Sequence, residues 1–436
     1  MWGFREPAAM SFVGKDSKKS IVRSFGSHVS SGKVDFYMAV DLDFVMGKRR
    51  GSWMYDVSGK NKLLNCHCNG GVFNLGHRNP VLIRVMIDAL KELDIGNHHL
   101  ISEQRARLGK KLARVNPPGL SRVVFGVSGG EAVDFAIKLA RAQTGRQKIV
   151  YASGGYHGHT GLALAAGADH FKRPFEPLAP GFVEVPFGDT EAVSKVIDEQ
   201  TAAVLFETIP ATLGMPIPSD GFYRAVREVC DRKGVLLILD EIQTGLGRTG
   251  KLWAFQHYGI TPDIFTIGKG LSGGLYPMSA TCYREELDSF MHENPFIHVS
   301  TFGGAELGCP VAERVLDISS SKEFLSRVNI SAAKVANGLD ELREQYSDIL
   351  TEVRQLGLFI GLKMNDMGYG PLMSIACYNN GLFAVYADND KSVLQYLPPL
   401  TITDAEISYM LRSLNRAYSW AGNNPKYLEL ARALVA

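Results

Sequence analysis

Short apolar runs alternate with amphipathic segments along the middle of this chain. The runs predicted to be buried strands lie at residues 122–126, 148–152, 202–206, 235–240, 263–267 and 278–283. Helical patterns lie between them; in residues 221–233, for example, Phe222, Val226, Val229 and Cys230 recur on one helical face. This alternation predicts an α/β fold built on a doubly wound, mostly parallel sheet.

The pattern changes on both sides of this region. Residues 52–60 have the pattern of a β-hairpin with its turn at Ser58-Gly59. From about residue 330 a long helix is predicted, followed by strands at 356–362, 382–387 and 393–396 and a last helix from Asp404. We therefore predict an N-terminal segment (1–75) that packs with the small domain, a large domain (76–328) and a small C-terminal α+β domain (329–436).

Composition limits the classes of partner. The 436 residues carry a formal net charge of +2, and 45% are hydrophobic and 21% charged, so no nucleic-acid or membrane partner is predicted. The first ten residues lack the apolar core of a signal peptide, and no apolar run approaches the roughly 20 residues of a membrane span. The scattered cysteines predict reduced thiols in a cytoplasmic protein. Cys66-His67-Cys68 has no second ligand pair nearby, so no metal site is predicted.

Two of the predicted strands each lead into one charged residue. Apolar residues 236–239 precede Asp240, and apolar residues 264–267 precede Gly268 and Lys269. Both side chains should lie at the ligand-binding edge of the sheet, since open α/β sheets bind ligands at the carboxyl ends of their strands. A lysine amine forms a Schiff base with pyridoxal phosphate (PLP), and a carboxylate pairs with its protonated ring nitrogen. The pair therefore predicts a PLP enzyme, in which Gln243 reaches the ring hydroxyl.

Other motifs supply the remaining parts of a PLP site. Ser128-Gly129-Gly130 joins a strand to a helix, where backbone N–H groups and the helix dipole favour a phosphate. Tyr156 follows the second predicted strand and can stack on a pyridine ring; the alternative is a loop aromatic that covers the sheet. Thr301, in the turn STFGG, offers a hydroxyl to a phosphate.

The order of these motifs resembles the class III PLP-dependent aminotransferases of fold type I. The similarity begins with WMYDVSGKNKLLN and LGHRNP and continues through SGGEAVDFAIKLAR, GGYHGHT, LDEIQTGLGRTG, GITPDIFTIGKGLSGG and STFGG to LPPLTITDAEI. The resemblance implies a homodimer with shared active sites, with Lys269 as the Schiff-base lysine and Asp240 as the partner of the ring nitrogen. It also implies cofactor contacts from Ser128, Gly129, Gly130, Tyr156, Gln243 and, across the subunit interface, Thr301.

The sequence departs from this family at two positions that concern the substrate. Members that use glutamate or ornithine commonly have an Arg in VLRxxPPL, which grips an α-carboxylate, and this chain has Gln395 there. They also have a Glu in EPIQGEGG that neutralises the Arg, and this chain has Thr212. The joint loss is coherent, because a buried Glu without its Arg would be an uncompensated charge. It predicts a substrate without an α-carboxylate, such as an oxo-sugar, unless another Arg makes the contact. Phe73 and Gln395 are the candidate substrate contacts.

We predict an aminotransferase that moves an amino group from an amine or amino-acid donor, L-glutamate being one candidate, to a carbonyl acceptor. Lys269 would move the proton. Racemisation, epimerisation or elimination would use the same scaffold, and the motifs do not separate these outcomes. A nucleotide-binding protein is disfavoured, because Ser128-Gly129-Gly130 runs directly into Glu131 without a G-x-G-x-x-G pattern.

Overall fold

A computed structural model describes residue 14 and residues 16–433 of the protein. The first ten residues, for which no signal peptide is predicted, lie outside the described residues. The strands are β1 Met46–Arg50, β2 Trp53–Asp56, β3 Lys62–Asn65, β4 Arg122–Gly126, β5 Lys148–Ala152, β6 Phe182–Val185, β7 Thr201–Glu207, β8 Leu236–Asp240, β9 Ile264–Ile267, β10 Ser279–Tyr283, β11 Leu350–Leu356, β12 Phe359–Met364, β13 Leu382–Phe383, β14 Val385–Tyr386 and β15 Val393–Tyr396.

The α-helices connect these strands and cover the sheets. They span Lys18–His28, Ser31–Ala39, Pro80–Ala89, Glu103–Val115, Gly129–Thr144, Gly161–Ala165, Asp169–Lys172, Thr190–Val196, Phe222–Lys233, Ser289–Glu293, Cys309–Ser319, Lys322–Gln345, Tyr369–Asn379, Asp404–Gly422 and Lys426–Ala433. None of the helices in the described part of the chain is long and apolar enough to cross a membrane.

The large sheet confirms the predicted α/β class. Its strand order is β4-β10-β9-β8-β7-β5-β6, and only β10 runs antiparallel to its neighbours among the described strands. Alternate residues point to opposite faces, so Val204 and Phe206 of β7 join one hydrophobic core and Ala203 and Leu205 join another. The sequence predicted every strand of this sheet except β6, whose first three residues are only partly buried or exposed.

Helix ends on this sheet follow local rules. The helix Phe222–Lys233 buries the predicted apolar face and ends at Gly234, which has the left-handed conformation that favours glycine. Gly145 ends the helix Gly129–Thr144 in the same way. These stops return the chain to β8 and β5, whose carboxyl ends form the ligand-binding edge of the sheet.

The N-terminal and C-terminal parts share a small sheet. β2 and β3 form the predicted hairpin, and β13 adds to β3 in parallel, giving the order β1-β2-β3-β13. A second sheet has the order β11-β12-β15-β14. The predicted strand at 356–362 has the wrong bounds: residues 359–362 lie in β12, but Gly357, with φ 62°, turns the chain between β12 and the unpredicted strand β11. The predicted strand at 382–387 is two short strands in different sheets.

The long C-terminal helix begins earlier than predicted. It starts at Lys322, where the Ser321 hydroxyl accepts a hydrogen bond from the Phe324 N–H (3.2 Å) and caps the first turn. The predicted boundary between residues 328 and 329 therefore falls inside this helix. The division into 1–75, 76–328 and 329–436 stays a prediction.

Candidate active site

Three charged side chains lie at the carboxyl ends of neighbouring strands. Glu207 ends β7, Asp240 ends β8 beside it, and Lys269 follows β9. They share a cavity of about 380 Å³. The cavity is lined by Ser128, Gly129, Gly130, Tyr156, His157, Gly158, His159, Thr160, Glu207, Ile209, Asp240, Ile242, Gln243, Thr244 and Lys269.

Lys269 occupies a strained and desolvated position. Its φ of 41° is left-handed, and its Nζ donates a hydrogen bond to Gln243 Oε1 (3.1 Å). Burial lowers the pKa of the amine, although the Asp240 and Glu207 carboxylates act in the opposite direction. A lowered pKa increases the fraction of free amine, which is the form that accepts a proton.

A left-handed turn packs against this lysine. Four consecutive residues, Cys68, Asn69, Gly70 and Gly71, have positive φ angles of 52°, 52°, 66° and 107°. A Cβ atom built at Gly70 would lie 2.9 Å from Lys269 Cε. The turn therefore forms a close wall against the aliphatic part of the lysine side chain.

Asp240 is held by three donors. Its Oδ1 accepts hydrogen bonds from the Ile242 N–H (3.0 Å) and the Thr266 hydroxyl (3.2 Å). Its Oδ2 lies 2.9 Å from His157 Nδ1, which must carry a proton to donate to the carboxylate. The His157 ring is buried, and its Nε2 has no hydrogen-bond partner among the described residues. These bonds fix the orientation of the carboxylate.

The start of the helix Gly129–Thr144 forms an anion cradle. Ser128 caps the helix by accepting a hydrogen bond from the Glu131 N–H (3.3 Å), and the first N–H groups of a helix have no intrahelical acceptor. A Cβ atom at Gly129 would lie 2.8 Å from Ile242 Cδ1, and one at Gly130 would lie 2.7 Å from Thr160 Oγ1. Only glycine therefore fits at these two positions, where the side chains of Ile242 and Thr160 pack against the backbone.

Tyr156 and Glu207 also line the cavity, and a hydrogen bond joins them. The Tyr156 N–H donates to Glu207 Oε1 (2.9 Å), and the Ala211 N–H donates to Oε2 (3.2 Å). Burial raises the pKa of Glu207 to about 7. The half-buried Tyr156 ring makes edge-on contacts with His159 and Phe171.

The structure brings together most of the predicted site residues: Ser128, Gly129, Gly130, Tyr156, Asp240, Gln243 and Lys269 all line the cavity. Phe73 does not line it; its ring lies 4.0 Å from the His77 ring. Gln395 is also absent from the residues that line the cavity. It lies in β15, where it pairs with Gly361 of β12. The roles assigned to these residues stay predictions.

Thr301 lies outside this cavity, in an exposed stretch of the chain. Its predicted contact across a subunit interface stays a prediction.

Two residues of the site lacked a predicted role. Glu207 ends an apolar strand in the same way as Asp240, so the rule that identified Asp240 would have identified it as well. His157 received no predicted role, because nothing in the sequence places its ring beside Asp240.

These groups fit PLP. The cofactor requires a free amine, an acid for the ring nitrogen, a slot for a flat ring and a phosphate site. Lys269 has the lowered pKa, Asp240 is oriented by three donors, and the glycine cradle leaves space that a Cβ atom would fill.

Comparisons with known proteins identify the family of the chain. The family model for aminotransferase class-III matches residues 37–418. An uncharacterized aminotransferase of Archaeoglobus fulgidus is 59% identical over 426 residues, covering 98% of this chain and 100% of the relative. A putrescine aminotransferase of Pectobacterium atrosepticum is 36% identical over 411 residues, covering 90% and 87%.

Solved structures share the fold. The ornithine aminotransferase of Toxoplasma gondii is 25% identical with a TM-score of 0.86, covering 94% of this chain and 96% of that one. An (S)-enantioselective omega-transaminase of Thermomicrobium roseum is 26% identical with a TM-score of 0.84, covering 92% and 98%. Another structure of the Toxoplasma enzyme has PLP at partial occupancy in its active site. This chain therefore belongs to the class III aminotransferases, which are PLP-dependent enzymes of fold type I.

Proposed function

We propose that this aminotransferase uses an aliphatic primary amine or diamine as donor, and a carbonyl acceptor that also lacks an α-carboxylate. The main observation in support of this proposal is the charge of the residues that line the cavity. Among its described lining residues, Lys269 is the only lysine or arginine. A substrate carboxylate would find no fixed guanidinium there and would instead lie near Glu207.

The neighbouring residues support this proposal. Gln395 and Thr212 are neutral where family members that use α-amino acids have an Arg and a Glu. Ile209 and Ile242 contribute apolar side chains to the wall, which favours an aliphatic chain over a polyhydroxylated sugar. The relative that is 36% identical is named a putrescine aminotransferase, and putrescine carries no carboxylate.

We assign the chemistry to residues as follows. PLP, when bound, supplies an electron sink for the substrate carbon. The Lys269 amine removes the proton from that carbon and returns it, helped by its lowered pKa. Asp240, oriented by His157 and Thr266, keeps a positive charge on the ring nitrogen. Tyr156 would cover one face of the ring, Gln243 would accept a hydrogen bond from its hydroxyl, and residues 128–130 would bind the phosphate.

Titration of the PLP-loaded enzyme with single donors tests the substrate class. We expect putrescine and butylamine to convert the bound cofactor to its amine form, measured by near-ultraviolet and visible absorption, because neither amine needs a cation in the cavity. Lys269→Ala is the control and should show no conversion. Conversion by L-glutamate or L-ornithine, with no response to either amine, would contradict the proposal and require a carboxylate contact from outside this cavity.

We also propose a homodimer. Large apolar side chains are exposed on two stretches of the chain, residues 95–101 and 296–306. The two stretches contact each other: the Glu306 N–H donates to Ile95 O (3.1 Å), and the rings of His99 and Phe296 lie 5.9 Å apart. We call this surface the apolar patch; its exposed members are Ile95, Leu100, Ile101, Phe296, Ile297, Val299 and Phe302. A contiguous patch of this kind marks a protein interface. It includes the neighbours of Thr301, which the proposal places at the phosphate of the other subunit.

A further inference from the structure

Two chain segments, one containing Thr212 and one containing Asn389, contact the turn at Gly154 that leads to Tyr156. Asn389 lies between β14 and β15, and its Nδ2 donates to Gly154 O (2.6 Å) and to Thr212 Oγ1 (3.2 Å). The Thr212 hydroxyl also donates to Gly154 O (3.4 Å). We call Gly154, Thr212 and Asn389 the latch.

Backbone bonds reinforce the latch. The N–H groups of Asn389 and Asp390 both donate to Thr212 O, at 2.9 and 3.2 Å. The Asp390 carboxylate accepts from Lys363 Nζ of β12 (2.8 Å), and Arg354 of β11 donates to Gly214 O (2.6 Å). The segment 211–214 is therefore fixed to the C-terminal sheet from several directions.

The packing around Gly154 and Gly214 leaves little space for a side chain at either position. Gly154 has a φ of 74°, and a Cβ atom there would lie 2.9 Å from Leu213 Cδ1 and 3.8 Å from Asn389 Cβ. Gly214 has a φ of 84°, and a Cβ atom there would lie 2.8 Å from Asp390 Oδ2. Side chains from both segments thus pack directly against two glycine backbones.

The latch and Glu207 act on the same turn. Glu207 accepts hydrogen bonds from Tyr156 and from Ala211, so it already links this turn to the segment after β7. The latch adds a second link, two residues before Tyr156. We propose that Asn389 is a positioning residue, which holds the Tyr156 ring against the cofactor and fixes the width of the substrate cavity. This inference rests on the proposed role of Tyr156.

Hydrogen exchange of the cofactor-free protein tests the latch directly. Asn389→Ala removes the donor, and Asn389→Asp keeps the size but places a carboxylate against the Gly154 carbonyl. We expect exchange in the peptide 153–160 to rise about fivefold, the effect of losing one hydrogen bond. Asn424→Ala is the matched control, because Asn424 is half-buried and donates to Trp420 O (2.8 Å) far along the chain. Thr212→Val serves if both Asn389 variants fail to fold.

A second measurement on the PLP-loaded enzyme tests the positioning role. We expect Asn389→Ala to raise KM for the amine donor about fivefold with a smaller change in kcat, and to speed release of the cofactor. Unchanged exchange in the peptide 153–160 would overturn the latch. Faster hydrogen exchange in Asn389→Ala, with KM and cofactor release unchanged from wild type, would overturn the positioning role. Neither result bears on the proposed substrate class, which the donor titration tests separately.

Discussion

Two carboxylates lie on neighbouring strands but in different surroundings. Asp240 receives three hydrogen bonds, one of them from His157, and these fix the orientation of its carboxylate. Glu207 receives two backbone hydrogen bonds, but burial outweighs them and raises its pKa to about 7. The raised pKa allows Glu207 to take up a proton near neutral pH.

Glu207→Gln should weaken the pH dependence of stability. The pKa of Glu207 rises from 4.5 to about 7 on folding, so the folded protein binds this proton more tightly than the unfolded chain. The resulting stability is fully present below pH 4.5 and is lost as the pH rises through about 7. In this window the free energy of unfolding should fall by up to about 1.4 kcal/mol per pH unit more in wild type than in the variant.

Denaturant unfolding of the cofactor-free proteins at several pH values measures this difference. Parallel stability curves for the two proteins would show that Glu207 is ionised throughout and that its pKa is not raised.

At the scale of elements, the strands that carry the site were predictable because burial makes their sequences apolar. β7 and β9 are buried at every position, and β8 at all but its first. The left-handed turn at residues 68–71 was not predicted: Asn69-Gly70-Gly71 favours positive φ, but nothing in the sequence indicates it for Cys68. The strand predicted at 356–362 had the wrong bounds because apolar residues continue on both sides of the turn at Gly357.

Gly70→Ala tests whether the left-handed turn positions the lysine. A methyl group there would lie 2.9 Å from Lys269 Cε, so the side chain must shift. We expect kcat to fall at least about tenfold, since small displacements of reacting groups are costly. Gly59→Ala is the matched control: its φ of 72° imposes a similar backbone penalty, but no other atom lies within 4 Å of its Cβ position.

Both variants should lose about 1 kcal/mol of stability from the left-handed backbone. Equal kcat values for the two, measured with the same amine donor, would exclude a role for the turn in placing Lys269.

At the scale of the whole molecule, the sequence predicted the sheet and most of the residues that the structure brings together in one cavity, but not the residues that pack around that cavity. Asp240 and Lys269 were identified because each follows an apolar strand, which fixes its place at one edge of the sheet. Phe73 and Gln395 lie in segments whose contacts are set by tertiary packing, so neighbouring motifs gave no direction for their side chains. Asn389 had no signal at all, since its partners Gly154 and Thr212 are distant in sequence.

Ile101→Asp in the apolar patch should prevent assembly of the dimer. The side chain of Ile101 is fully exposed in the single chain, and a buried unpaired charge at an interface costs several kcal/mol. We expect light scattering to show monomers, and we expect activity to fall with the loss of the shared site. Ile330→Asp is the control, because Ile330 is also exposed but lies on the helix Lys322–Gln345, outside the patch. A dimer that survives Ile101→Asp would place the interface elsewhere.

The antiparallel strand β10 affects how the protein is made. β4 leads into the proposed phosphate site, yet among the described strands of the large sheet it pairs only with β10, whose residues lie about 150 positions later. During synthesis, β5 to β9 can pair with one another as they leave the ribosome, whereas β4 must wait until residue 283 has been added. The anion-binding half of the site therefore docks after the half that carries Asp240 and Lys269 has been made. Nascent chains that stop before β10 should have an incomplete sheet and no capacity to retain the cofactor.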